Sequence, residues 1–556
     1  MQKTLEMKKE KHKMNIMYIF NDEVFGGAGQ SLIDTLIKIK EEVNAIVVIR
    51  EGAEEVKIKF DEMGIRCYQI SFSIDYAKIG SISIENKTAD ITKSYEAALK
   101  LFPIVKEEEI DLIHINSSVS YFAAITALMA GIPYIWHIRE LMDEHYGCEF
   151  INKDLKKNLY VYADRMIAIS DYVREEYLAK YNIQMMKIYN GLNIEKYKVP
   201  LNKNRKSPNI FLAAGMISPS KGQWDAIRAT ENLIQRGYKD IKLNIVGDTD
   251  TGYTWALKKY IKMQGLDQNI SILPFQDDLY ALREKATYSL TCSQSEALGR
   301  ATIEAMLAGN FMIGAKSGGT VEIIGEKEER GYFYELHNVE ALAEAMVRAM
   351  QCPKKMKEQM IDAAQAYAEE TFDSGRYCRK LLDIYNEVIA SYKPKNAGRL
   401  LEEIKGSYAR IGNGRSRKDK TNAQYRKSEA ALALSIRWLK IKQAGHSLDE
   451  YFAQNNIRSI AIYGMAALGC RLYDELEDGD TEIRYLLDRN PGGMDSIFDF
   501  ASLDGEQLEV DAIVVTVAGE ERQIVKEIQE RGCQKVLGLR EILDDLWNGF
   551  SMSQEI

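Results

Sequence analysis

Short apolar runs alternate with longer stretches in which apolar positions recur every three or four residues, and this alternation continues through most of the chain. Runs of the first kind read as strands buried on both faces, and the second spacing reads as helices with one apolar side. NIMYIF opens a first sheet, followed by a glycine loop, GGAGQ at Gly26 to Gln30, and the helix SLIDTLIKIK. AIVVIR, DLIHINS and PYIWHIRE are further strands, with DRMIAIS and then IYNGLN (Ile188 to Asn193) continuing the series. A polar stretch, NKNRKSPN, separates this half from IFLAAG, KLNIVGD, ISILPF, YSLTCS and FMIGA. Strand–helix alternation of this kind predicts doubly wound parallel sheets, with ligands bound beyond the carboxyl ends of the strands. The longest apolar stretch, Tyr121 to Trp136, contains Gly131 and Pro133 and is too short for a membrane span, so it reads as helix, turn and strand.

The most specific signal is SEALGRATIEAMLAG, from Ser295 to Gly309. Glu296 precedes a glycine turn, and Glu304 falls eight residues later on a helix otherwise built of small and apolar residues. A carboxylate there is costly to bury unless something pairs with it. Gly299 permits close backbone approach, and the amides at the following helix start favour an anion. A loop carboxylate, a phosphate-ready helix start and a helix carboxylate point to a nucleotide-sugar site. The plain alternative is a surface helix with two solvated glutamates.

The order E-x7-E, AMLAG, FMIGA and SGGTVEII resembles the donor-site signature of the retaining glycosyltransferases of family four, and the likeness runs from about Met14 to about Tyr392. It implies an α/β architecture of GT-B type: two Rossmann-like domains facing a cleft. It places Glu304 on the ribose of a nucleotide sugar and Glu296 on hydroxyls of the transferred sugar. It also implies that His137, in PYIWHIRE, contacts the donor sugar, with Arg139 beside it; a histidine packed at a strand end is the competing reading. Gly26 and Gly27 would offer amides to phosphate or sugar oxygens. AAGMISPSKGQ resembles the family's second phosphate clamp, in which Lys221 neutralises the leaving diphosphate as a point charge. Met216 departs from the pattern, since many relatives carry an arginine there; Arg300 could take up that task. The same departure keeps open a non-catalytic or weakened donor-binding subunit, and a GT-B sugar-nucleotide epimerase is a further alternative. No metal and no cofactor are expected: Asp248 and Asp250 in DTD are better explained by a loop turn with a helix cap.

Composition fits a large soluble enzyme. The 556 residues include 46% hydrophobic and 28% charged positions, and the net charge of −9 argues against a nucleic-acid partner. Seven cysteines without a CxxC pair, six scattered histidines and a charged start lacking a signal-peptide core predict a cytoplasmic protein. The expected partners are a nucleotide sugar and a hydroxyl acceptor, lipid-linked or protein, as in polysaccharide or glycoconjugate synthesis.

The predicted organisation is an N-terminal Rossmann-like, acceptor-side domain over 14–200, and a nucleotide-sugar domain over 201–392 whose last helix crosses back. A basic linker over 393–430 and a third, smaller Rossmann-like domain over 431–556 follow. The linker's excess of lysine and arginine between Lys393 and Lys427 is read either as simple solvation or as peripheral contact with an anionic bilayer at the inner face of the membrane. In the third domain GMAALG (Gly464 to Gly469) resembles a dinucleotide fingerprint, with Ala466 at its middle glycine and Asp488 ending the next strand. A structural, assembly or acceptor-recognition role is favoured over dinucleotide binding.

Overall fold

The computed structural model describes residues 13–21, 27–199, 209–411, 419–503, 508–532 and 535–553. The chain divides into one unit made of Met1–Gly215, Ser220–Ile245 and Gln276–Gly414, and another made of Met216–Pro219, Val246–Phe275 and Arg415–Ile556.

The first unit begins with β1 (Met14–Ile19), β2 (Val43–Arg50), β3 (Arg66–Ile70), β4 (Tyr76–Lys78), β5 (Leu112–Ile115), β6 (Tyr134–Ile138), β7 (Cys148–Phe150), β8 (Arg165–Ala168) and β9 (Met186–Lys187). Seven of them form a parallel sheet in the order β3-β2-β1-β5-β6-β8-β9, and β4 pairs antiparallel with β7. Every residue of β5 and β6 is buried, His114 and His137 included, as a sheet covered on both faces requires. The helix Phe122–Ala130 ends where Gly131 adopts a left-handed conformation, which turns the chain into β6.

β10 (Ile210–Ala214), β11 (Lys242–Asp248), β12 (Ile270–Pro274), β13 (Tyr288–Thr291), β14 (Phe311–Ala315) and β15 (Gly331–Tyr334) follow in sequence, β12 belonging to the second unit. Within the first unit the second sheet runs β11-β10-β13-β14-β15. The helix Ser374–Ser391 then returns to the first sheet, packing Tyr377, Leu381, Ile384, Tyr385 and Val388 with Ile16, Tyr18, Ile135 and Ile167. Each of these large apolar side chains contributes about 1.5–3 kcal/mol by leaving water.

Three local expectations change. The predicted glycine loop is already helix from Gly27, within Gly27–Ile39, so the amides of Gly27 and its neighbours head a helix; Gly26 lies outside the described residues. IYNGLN is not a strand: β9 stops at Lys187, and only an isolated bridge from Leu192 to Asp373 follows. The stretch read as a basic linker is helical over Gly398–Ile411 and again from Asp419. There Leu400 and Ile404 join the core and the Tyr408 ring packs tilted against Tyr95 at 5.1 Å, a spacing of four residues that the abundance of charge conceals.

The second unit has a parallel sheet of β16 (Ser459–Tyr463), β17 (Glu482–Leu487), β18 (Ala512–Val515) and β19 (Val536–Gly538), in the order β17-β16-β18-β19. Ile460, Ile462, Val514 and Leu537 form its core with Trp438, Phe452, Leu472 and Ile542, and the helix Gly252–Met263 adds Ala256. Among the described residues, no helix is long and apolar enough to cross a membrane.

Candidate functional site

The loop from β13 to the helix Arg300–Leu307 carries the site, and glycines fix its course. Gly299 caps that helix at φ +91°, a conformation that L side chains rarely adopt. The Gly319 amide donates to the Glu296 carbonyl at 2.7 Å, and a Cβ on Gly318 would stand 2.8 Å from the Glu296 nitrogen. The SGG segment therefore grips the backbone of Glu296. Gly222, at φ +67°, lies so close to Cys292 that a Cβ would meet its carbonyl oxygen at 2.1 Å, which seats the Lys221 turn against the same loop.

Lys221 Nζ donates to Glu296 Oε1 at 2.7 Å, and Ser293 Oγ donates to the same oxygen at 2.5 Å. The side chains of Lys221 and Glu296 are 31% and 18% exposed, so the pair is recessed yet reachable. Burial pushes the Glu296 carboxyl up, but the Lys221 ammonium, the hydrogen bonds and nearby His145 outweigh it and hold the group below the usual range. His145, from the helix Met142–Tyr146, lies 3.4 Å from Ser295 Oγ; burial keeps it more neutral than a free imidazole, against the pull of Glu296. Ser295 also donates to Glu144 at 3.0 Å.

Further along the helix, Glu304 accepts from Arg283 Nη2 at 2.6 Å and from Arg300 Nε at 2.7 Å. Burial alone would raise its carboxyl, and the two guanidinium groups lower it below the usual range. Arg300 Nη2 donates to the Tyr197 hydroxyl at 2.8 Å and approaches Asp34 at 3.5 Å, so the helix headed by Gly27 reaches this cluster through Asp34. Arg300 Nε and Nη2 are thus engaged by Glu304 and Tyr197, while its Nη1 is buried without a partner among the described residues.

His137 and Arg139 belong to a different group. Arg139 donates to Asn116 and Asn190, and its Nη2 lies 3.3 Å from His137 Nδ1. The His137 ring stacks on His114 at 5.5 Å, and burial together with Arg139 holds both imidazoles neutral. Among the described residues, His137 Nε2 is buried without a partner. Arg283, His145 and Tyr197 were not anticipated from the sequence; only a long-range pairing rule for the lone carboxylate on an apolar helix would have called for Arg283.

Asp248 is used locally: its carboxylate accepts the Asp250 amide at 2.7 Å and pairs with Lys258, while Thr251 caps the helix that follows. Among the described residues, no three His, Cys, Asp or Glu side chains converge as a metal site would require. Met216 is 56% exposed and supplies no charge.

Residues 69–196 match the family model described as Glycosyltransferase Family 4, and residues 194–367 match Glycosyl transferases group 1. An uncharacterized glycosyltransferase of Haemophilus influenzae is 24% identical over 309 residues, 54% of this chain and 83% of that protein. The capsular polysaccharide biosynthesis glycosyltransferase CapH of Staphylococcus aureus is 24% identical over 310 residues, 52% of this chain and 78% of its own length. Among solved structures, Anabaena Alr3699/HepE in complex with UDP aligns over 67% of this chain and all of its own, with a TM-score of 0.56 and 21% identity. Matched in order by both models over more than half its length, the chain belongs to the family-four glycosyltransferases and has their GT-B fold.

Proposed function

We propose that this enzyme is a retaining, metal-independent transferase that moves a hexose from a UDP-sugar to an acceptor hydroxyl in the synthesis of a cell-surface polysaccharide or glycoconjugate. The recessed but reachable Lys221–Glu296 pair carries the reading. CapH and HepE, by their names and bound nucleotide, support the pathway class and the uridine donor.

In the reaction the bond from the anomeric carbon to the diphosphate breaks and the acceptor oxygen bonds to that carbon on the same face. The acceptor proton passes to the leaving phosphate. Negative charge grows on the diphosphate, and a preorganised ammonium stabilises it. The arriving diphosphate competes with Glu296 for Lys221, which frees the carboxylate to accept from sugar hydroxyls. Glu304 spends part of its accepting capacity on Arg283 and Arg300, and a carboxylate retains further lone pairs for ribose hydroxyls. The amide of Gly27 and the Gly299 helix start line the phosphates, and His137 Nε2, buried without a partner among the described residues, is available to the sugar.

The test is a melting-temperature screen with UDP-, GDP- and ADP-sugars in excess EDTA, followed by the anomeric configuration of the product. A ligand at 100 times its Kd stabilises the native state by about 2.7 kcal/mol. Absence of any shift, or an inverted product, overturns the reading. Met216, uncharged at the clamp, favours a second reading as a donor-binding subunit without turnover; release of UDP by the purified chain excludes it. Appearance of an epimerised donor in the absence of acceptor would reveal an epimerase. The cations near 393–427 carry the membrane part of the proposal. Lys395, Arg399, Lys405 and Lys427 are paired with Asp164, Glu403, Glu402 and Glu520, so flotation with phosphatidylglycerol vesicles tests what the remaining cations contribute.

A further inference from the structure

The glycine loop of the C-terminal sheet is closed by its own chain. Gly464, at φ +99°, directly follows β16, and the Met465 amide donates to Asp488 Oδ2 at 2.7 Å. Asp488 Oδ1 accepts the Asn490 amide at 2.9 Å. Both oxygens of the carboxylate that a ribose would need are therefore already engaged by loop amides. Over the same carboxyl end of the sheet sits the start of the helix Gly252–Met263: a Cβ on Gly252 would stand 3.0 Å from the Met465 carbonyl oxygen and 3.5 Å from Met494 Cε. Trp255 Nε1 and Lys259 Nζ of that helix donate to Asp474 at 2.9 and 3.0 Å, and Trp255 packs on Tyr473 and Phe498.

A second contact lies beside the first. Gly493, at φ +89°, approaches Pro219 so closely that a Cβ would stand 2.3 Å from the Pro219 ring. Pro219 stands two residues before Lys221 in the chain. A dinucleotide needs an open crevice outside the strand ends, and here that crevice is filled. What the sheet grips instead is the segment leading into the lysine turn.

We propose that the C-terminal Rossmann-like domain is a brace for the diphosphate-binding turn: Gly493 is a positioning residue acting through Pro219, and the glycine loop takes no dinucleotide. The catalytic part of this proposal rests on the role given above to Lys221; the brace itself does not.

The test uses the full-length chain. Gly493→Ala drives a methyl into Pro219, whereas Gly492→Ala meets nothing within 4 Å and imposes only the strain of a positive φ, which is +62° there. Hydrogen exchange at Ile217 and Ser218 is expected to quicken at least tenfold in Gly493→Ala and to stay within twofold in Gly492→Ala. UDP release, measured with whichever of UDP-glucose, UDP-galactose and UDP-N-acetylglucosamine shifts the melting temperature most, should lose at least tenfold in kcat with KM within twofold. Gly493→Ala combined with Pro219→Ala should return to within threefold of Pro219→Ala alone. If Gly493→Ala is insoluble, Asp474→Ala, at a half-exposed surface carboxylate, replaces it and should quicken the same amides. Equal exchange in the Gly493 and Gly492 variants, no recovery in the double variant, or a melting shift with NAD or NADP overturns the proposal. Faster exchange with no UDP release by wild type keeps the brace and removes the catalytic reading.

Discussion

Replacing Glu304 with glutamine keeps its shape and removes its charge, which isolates the ion pairs at the centre of the site. Arg283 is only 3% exposed and Glu304 13%, so the substitution strands a guanidinium that has little access to water. Stripping one partner from a buried pair costs about 3–5 kcal/mol, and the lower end applies here because Arg300 keeps Tyr197 and Asp34. A cooperative unit of several hundred residues has a melting entropy near ~0.8 kcal/mol/K at about 2.1 cal/mol/K per residue, so Glu304→Gln should lower Tm by roughly 4 °C at neutral pH. The pH dependence gives a second reading of the same quantity. The folded-state pKa of Glu304 is depressed. Its contribution is therefore complete above the ordinary glutamate value of about 4.3 and is lost as the pH falls through the lower folded value. Calorimetry of both proteins should show a constant gap from about pH 8 to 5 that closes below about 4. A gap that persists unchanged to pH 3, or no gap at pH 7, would refute the assignment of Glu304 as a charged anchor.

Lys221→Ala should cut UDP release by about 100-fold, as loss of a charge partner in the transition state does, while Glu296→Ala should slow transfer and leave nucleotide affinity nearly intact; titration calorimetry against UDP separates the two. Transfer should persist in excess EDTA, and its complete loss with recovery in manganese would return attention to Asp248 and Asp250. A chain ending at Ser428 loses the sheet that covers Ala256 and Trp255 and is expected to elute as aggregates; a monomer with full donor affinity would show those contacts to be dispensable.

The parts of the molecule legible in the sequence are those set by local pattern. The apolar-rich segments DLIHINS, PYIWHIRE and YSLTCS contain β5, β6 and β13, each running two or three residues longer than the strand, and the lone carboxylate on the helix Arg300–Leu307 marked itself as needing a partner. Partners brought by tertiary structure left no such trace. Arg283 sits in LREK, ordinary surface vocabulary, yet it is buried and donates to Glu304. His145, in MDEHYG, looks like a solvated turn until Ser295 and Glu296 arrive from far along the chain. His137 was harder still: β6 is buried on both faces, so alternation says nothing about which side its ring takes. The helix Gly398–Ile411 was hidden for the opposite reason, since counting charges obscured Leu400, Ile404 and Tyr408 on one side.

The helix Ser374–Ser391 has a consequence for how the protein is made. His114 Nδ1 meets the Tyr385 hydroxyl at 2.6 Å across 271 residues of sequence, and Tyr385 reaches Tyr18 across 367. A ribosome delivers β1 and β5 long before it delivers this helix, so the part of that core which Tyr377, Leu381, Ile384, Tyr385 and Val388 complete stays open while the whole second sheet is synthesised, although the helices Gly27–Ile39 and Glu54–Glu62 pack there early. Contacts so distant also slow folding, because the intervening loop must close before they form. The nascent first half is therefore most prone to aggregate before that helix arrives.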